Sequence, residues 1–107
     1  MGGGQEVIEI DGKKFTRLYA GGTIALEELA ELGLTKKDVI RYLKSKLKEL
    51  GNRTRLLENC RVEDGDWDYD YFLLDVDSDI PLTTAQEMIR FRGKRFFVHS
   101  FLLCPIE

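Results

Sequence analysis

Eight carboxylates fall within residues 63–79: Glu63, Asp64, Asp66, Asp68, Asp70, Asp75, Asp77 and Asp79. Alternate residues on one face of a strand stand about 6–7 Å apart, close to the phosphate step along a nucleic-acid strand. Asp64, Asp66, Asp68, Asp70, Asp75 and Asp77 are therefore a candidate acidic face for docking a basic patch on a protein partner. The same charges would solvate an outer strand face and protect a sheet edge from pairing with other chains.

Carboxylates also bind divalent cations. Asp66, Asp68, Asp70 and Asp77 superficially copy the spacing of a calcium-binding loop. Tyr71 stands where such a loop requires Gly, Asp77 where it requires Glu, and the intervening residues are apolar like those of a strand. No metal ligand is assigned on that spacing. A divalent-metal hydrolase using the residues from Asp66 to Asp77 remains the second alternative function.

The cations form two groups. Lys37, Arg41, Lys44 and Lys48 recur at helical spacing as one stripe. Arg90, Arg92, Lys94 and Arg95 alternate with Phe91 and Phe96, a pattern able to grip phosphates and stack on bases. Together they make a nucleic-acid-binding module the first alternative. The single histidine, His99, lies in an apolar strand and reads as a hydrogen-bonded core residue; Cys60 and Cys104 also sit among apolar strand residues, where thiols are inert. No catalytic residue and no cofactor is assigned, because the sequence has no phosphate-binding glycine loop, serine elbow or zinc spacing.

The elements that must hold these residues begin with the clearest one. Thr35 and Asp38 form a capping box ahead of an apolar stripe of Val39, Ile40, Leu43, Leu47 and Leu50, and Gly51 supplies the stop. Before it, residues 6–20 read as a hairpin turned by Asp11-Gly12, setting Ile8 opposite Phe15, Glu9 opposite Lys14 and Glu6 opposite Arg17. Thr23 is expected to cap a short helix over residues 24–32, ended by Gly33. Residues 33–43, GLTKKDVIRYL, resemble the turn and second helix of DNA-binding helix-turn-helix repressors. That resemblance covers about 20 of the 107 residues and implies Lys36, Lys37 and Arg41 at a major groove. It departs at Leu29, where the family has a small residue, and at Glu28, where it has an apolar one.

Residues 53–76 read as a second hairpin, turned by Asp64-Gly65, with Val62 opposite Trp67, Cys60 opposite Tyr69 and Arg61 opposite Asp68. A slip in alternation after Tyr71 predicts a bulge near Tyr71-Phe72, with Phe72, Leu74 and Val76 inside. Residues 83–93 fit either a helix capped by Thr84 and Glu87 or, the preferred reading, a strand that turns at Gly93-Lys94 and sets Ile89 opposite Val98 and Phe91 opposite Phe96. Residues 96–103 are apolar on both faces, as in a central strand.

The order is ββααββββ: an α+β fold whose antiparallel sheet of about five to six strands carries one long and one short helix on one face. In order of elements it is similar to the cystatin- and monellin-like rolls. Residues 5–107 form one domain, and residues 1–4 read as a flexible start or an expression remnant. The net charge of −3 conceals segments of about +6 over residues 35–55 and about −8 over residues 56–80. No apolar run is long enough for a membrane span, and two cysteines are too few for a disulfide framework. The leading expectation is a small, cytoplasmic, non-enzymatic module that binds a protein partner, as a regulator or inhibitor would, mainly through the acidic hairpin.

Overall fold

The computed structural model describes residues 2–77 and 79–107. The expected order is found: β1 (Gly2–Ile10), β2 (Lys13–Thr23), α1 (Leu26–Glu31), α2 (Lys36–Leu50), β3 (Cys60–Asp64), β4 (Trp67–Val76), β5 (Thr83–Phe91) and β6 (Lys94–Pro105). The strands form one antiparallel six-stranded sheet in the order β1-β2-β6-β5-β4-β3. No described helix is long and apolar enough to cross a membrane.

The first hairpin has the expected register, with Ile8 opposite Phe15 and Glu6 opposite Arg17. Asp11 and Gly12 both have positive φ, as the tight turn between right-twisted strands requires. β1 also runs back through Gly2, Gly3 and Gly4, which pair with Gly21, Ala20 and Tyr19; Met1 lies outside the described residues. The short helix begins at Leu26 rather than Ile24, because Thr23 and Ile24 stay with the sheet. Thr23 pairs with Phe97, and Ile24 donates its N–H to the Phe96 carbonyl.

α2 has its capping box in full: Thr35 Oγ1 accepts from the Asp38 N–H, and Asp38 accepts from the Thr35 N–H at 2.8 Å. Val39, Leu43 and Leu50 bury against Tyr69, Tyr71, Ala85, Ile89, Phe96, Phe97, Phe101 and Leu103. The core therefore lies on one face of the sheet, beneath the helices. The two helices do meet at a Gly33 turn, as in a helix-turn-helix, but they lie on a sheet, and no third α-helix follows among the described residues.

Three local expectations are corrected. Residues 54–59 are not strand, so the second hairpin starts at Cys60. Its loop is Gly65-Asp66, with Gly65 at positive φ, which sets Asp64 opposite Trp67, Val62 opposite Tyr69, Cys60 opposite Tyr71 and Arg61 opposite Asp70. The register moves by two residues, and a two-residue shift leaves every side chain on its original face. The bulge lies at Leu74, between the pairs Leu73–Ala85 and Asp75–Thr84, so Leu74 and Val76 are exposed instead of buried.

Residues 83–91 are strand, not helix. Their turn is Arg92-Gly93 with both φ positive, and a bulge between Ile89 and Arg90 then sets Ile89 opposite Phe97 and Phe91 opposite Lys94. β6 is central, between β2 and β5, as its two apolar faces require.

Candidate functional site

The predicted acidic face is not a continuous anionic surface. Asp64 turns toward α2, where it meets Lys46 Nζ at 2.7 Å and accepts from the Tyr42 hydroxyl at 2.7 Å. Lys46 is itself buried, held between Asp64 and Glu49. Its ammonium and the Tyr42 hydroxyl hold the Asp64 carboxyl below its ordinary pKa. Burial and the Asp64 carboxylate raise the pKa of Tyr42 in turn. Asp77 folds back on its own loop, accepting from the N–H groups of Asp79 and Ile80, which lowers its pKa as well.

Asp68 and Asp70 do share the face away from the helices, but with cations. Arg90 lies 3.2 Å from Asp68 and 3.7 Å from Asp70, and Arg61 lies 3.5 Å from Asp70. Arg92 reaches Asp66 at 3.3 Å. Asp75 is exposed. No group of three or more candidate metal ligands converges among the described residues.

The same contacts divide the two cationic groups. Arg90 and Arg92 are engaged by the aspartates, and Lys94 lies 3.9 Å from Glu28. On α2, Lys37, Arg41, Lys44 and Lys48 are all exposed. Only Arg41 among them has a carboxylate within ion-pair distance among the described residues, Asp38 at 3.7 Å.

Two surfaces emerge. The first is the sheet face opposite the helices. Leu18 and Leu102 oppose each other directly across β2 and β6, exposed by 41% and 42%, and Val7 on β1 is 64% exposed. Ala20, Ser100 and Thr84 complete the shallow apolar depression around them. Toward β3 this face passes into the Arg61, Asp68, Asp70 and Arg90 lattice.

The second lies under the helices and is centred on Glu87, which is fully buried. Strand alternation puts Glu87 on the core face with Ala85 and Ile89, and register puts it opposite His99. Arg55 Nε donates to Glu87 at 2.8 Å and its terminal nitrogen reaches the second carboxylate oxygen, a bidentate pair. The Tyr69 hydroxyl donates at 2.6 Å, and His99 Nδ1 lies 2.9 Å away. Burial alone would raise the Glu87 pKa, but these bonds from His99, Arg55 and Tyr69 outweigh it and hold the carboxyl below its ordinary value. Burial and the charge of Glu87 push the Tyr69 phenol up. Tyr71, which donates to the Leu56 carbonyl, is raised to about 12, chiefly by burial.

Arg55 adopts φ 63°, a left-handed conformation uncommon for a residue other than glycine, and its carbonyl accepts from Arg17 at 2.8 Å. Arg17 also pairs with Glu6 at 2.6 Å. His99 is thus hydrogen-bonded as expected, yet its partner was not foreseen. The available signal was a carboxylate in phase with Ala85 and Ile89. Lys46 carried a similar signal, three residues after Leu43 and four before Leu50 on the buried side of α2. No family model, curated protein or solved structure matches the chain.

Proposed function

We propose that this chain is a small non-enzymatic interaction module that binds a protein partner, as a regulator or inhibitor does, through the uncovered face of its sheet. The observation carrying this reading is the opposed pair Leu18 and Leu102, with Val7 beside it, on the same sheet face as the ion-paired Arg61, Asp68, Asp70 and Arg90. Protein interfaces join an apolar centre to a polar rim in this way. A nucleic-acid surface would need net positive charge and stacking aromatics instead. The acidic hairpin then acts as part of the rim, not as a free polyanionic strip. The module suits a reducing cytoplasm, with Cys60 and Cys104 both free thiols.

The test is site-specific photo-crosslinking in extract of the source cells, with the photoreactive residue at position 18 and, separately, at position 44 on α2. A discrete protein adduct at position 18, lost when Leu102→Glu is added, supports the reading. Adducts of equal yield at both positions, or a nucleic-acid adduct, overturn it.

One observation favours a second reading. The α2 cations are largely uncompensated, so phosphate contacts would run along Lys37, Arg41, Lys44 and Lys48 without the arginine hairpin. That reading requires duplex or single-stranded binding that weakens steeply with salt and disappears in the Lys37→Glu, Lys44→Glu, Lys48→Glu variant.

A further inference from the structure

A cleft of about 250 Å³ opens between the start of α2 and the glycine-rich ends of β1 and β2. Its walls include Gly21, Gly22, Thr23, Lys36, Ile40 and His99. Glycine accounts for part of the space, since Gly2 projects no side chain into it and a Cβ there would meet nothing within 4 Å.

The chemistry of the cleft is set by His99. Its Nδ1 faces the ionised Glu87, so the Nδ1 position carries the proton. Nε2 has no hydrogen-bond partner among the described residues, and it is not sealed from solvent. Tyr19, Phe97 and Phe101 hold the ring edge-on at centroid distances of 5.4, 4.4 and 6.0 Å, which fixes its plane. A carboxylate-buttressed imidazole with one free nitrogen in a cleft is a recognition group positioned in advance.

The surrounding charge is one-sided. Lys36 lines the cleft, and among the described residues no Asp or Glu does. Glu87, behind His99, is already matched by Arg55. Lys36 is also the first residue of α2, where backbone N–H groups have no intrahelical acceptor.

We propose that this cleft binds a phosphate group, held between His99 Nε2 and the Lys36 ammonium, with the Thr23 hydroxyl beside them. Phosphate fits where a carboxylate does not. Near neutral pH a phosphate presents both P–O⁻ and P–OH oxygens. It therefore satisfies Nε2 whether that nitrogen offers a lone pair or a proton. A carboxylate, fully ionised there, meets only the protonated ring. The cleft exceeds the volume of the bare ion, leaving room for the organic part of a small monoester. This site is on the helix side of the sheet and does not depend on the partner-binding face.

The experiment is an NMR titration of the ¹⁵N-labelled full chain with inorganic phosphate and, separately, with glycerol phosphate. Amide and histidine side-chain resonances are both followed. Saturable shifts at His99 Nε2 and at the amides of Gly21, Gly22 and Thr23 are expected. Lys36→Ala, at an exposed position that leaves the fold intact, should weaken binding about tenfold by removing one charge-assisted hydrogen bond. Tighter binding of glycerol phosphate identifies a monoester as the ligand, and tighter binding of inorganic phosphate identifies the free ion. His99→Gln, which keeps a donor toward Glu87, should abolish both. Shifts that never saturate, that centre on Lys37, Arg41 and Lys44, or whose midpoint is unchanged in Lys36→Ala overturn the site.

Discussion

Substituting Glu87→Gln tests whether a buried ion pair organises the core. The wild-type carboxylate is fully buried and accepts from Arg55, Tyr69 and His99. Glutamine keeps one acceptor oxygen but turns an NH₂ group toward donors, and it leaves the Arg55 guanidinium largely buried without its counter-charge. Removing one partner of a buried pair costs about 3–5 kcal/mol. At roughly 4 °C per kcal/mol for a domain near 100 residues, Tm should fall by about 12–20 °C. Urea denaturation at pH 7 gives the same quantity as a shift in midpoint at constant slope.

Adding Arg55→Met removes the stranded charge, so the double variant should recover much of the loss, and the cycle isolates the coupling between the two residues. The pH dependence supplies a second readout. Because the folded pKa of Glu87 lies below its ordinary 4.5, its contribution is fully present above that value and is lost as pH falls through the folded pKa. The gap in stability between wild type and Glu87→Gln should therefore be constant above about pH 4.5 and close as the pH falls below it through the folded pKa. A Glu87→Gln variant within about 1 kcal/mol of wild type at pH 7 would refute the argument, since no buried, paired carboxylate behaves so.

Three further outcomes are expected. Thr35→Ala removes half of the α2 capping box and should lower stability by about 1 kcal/mol, read by chemical denaturation. Arg92→Asn places the preferred Asn-Gly pair in the last hairpin turn, where Arg92 now sits at φ 52°, and should raise Tm by a few degrees despite losing the exposed contact to Asp66. Gly21→Ala drives a Cβ into the Val98 carbonyl and should cost about 3 kcal/mol or more, with exchange protection lost first along the β2–β6 ladder; retained stability and protection would contradict the close approach of these strands.

The sequence by itself determined the elements and their order, because these rest on interactions between near neighbours. Asp11-Gly12 fixes the first hairpin and its register, Thr35 and Asp38 fix the start of α2, and the two apolar faces of residues 96–103 require a central strand. Period-two alternation also separates Tyr69 and Tyr71 from Asp68 and Asp70 onto opposite faces of the strand. It could not set the register of the second hairpin, since both Asp64-Gly65 and Gly65-Asp66 make two-residue loops and both leave those faces unchanged. Residues 83–91 carried a helix cap and a strand pattern at once; flanking strands β4 and β6 settled the competition by offering a partner to each backbone edge.

Only the tertiary structure decided which charges are free. The aspartates of the second hairpin met Arg61, Arg90, Arg92 and Lys46 from other strands and from α2, while most of the α2 stripe kept no carboxylate within ion-pair distance among the described residues. Glu87 joins Arg55, 32 residues away, and His99, 12 residues away. Charge compensation and buried hydrogen bonding depend on distance in space. Sheet register, together with the packing of α2 and the segment after it across that sheet, set those distances here.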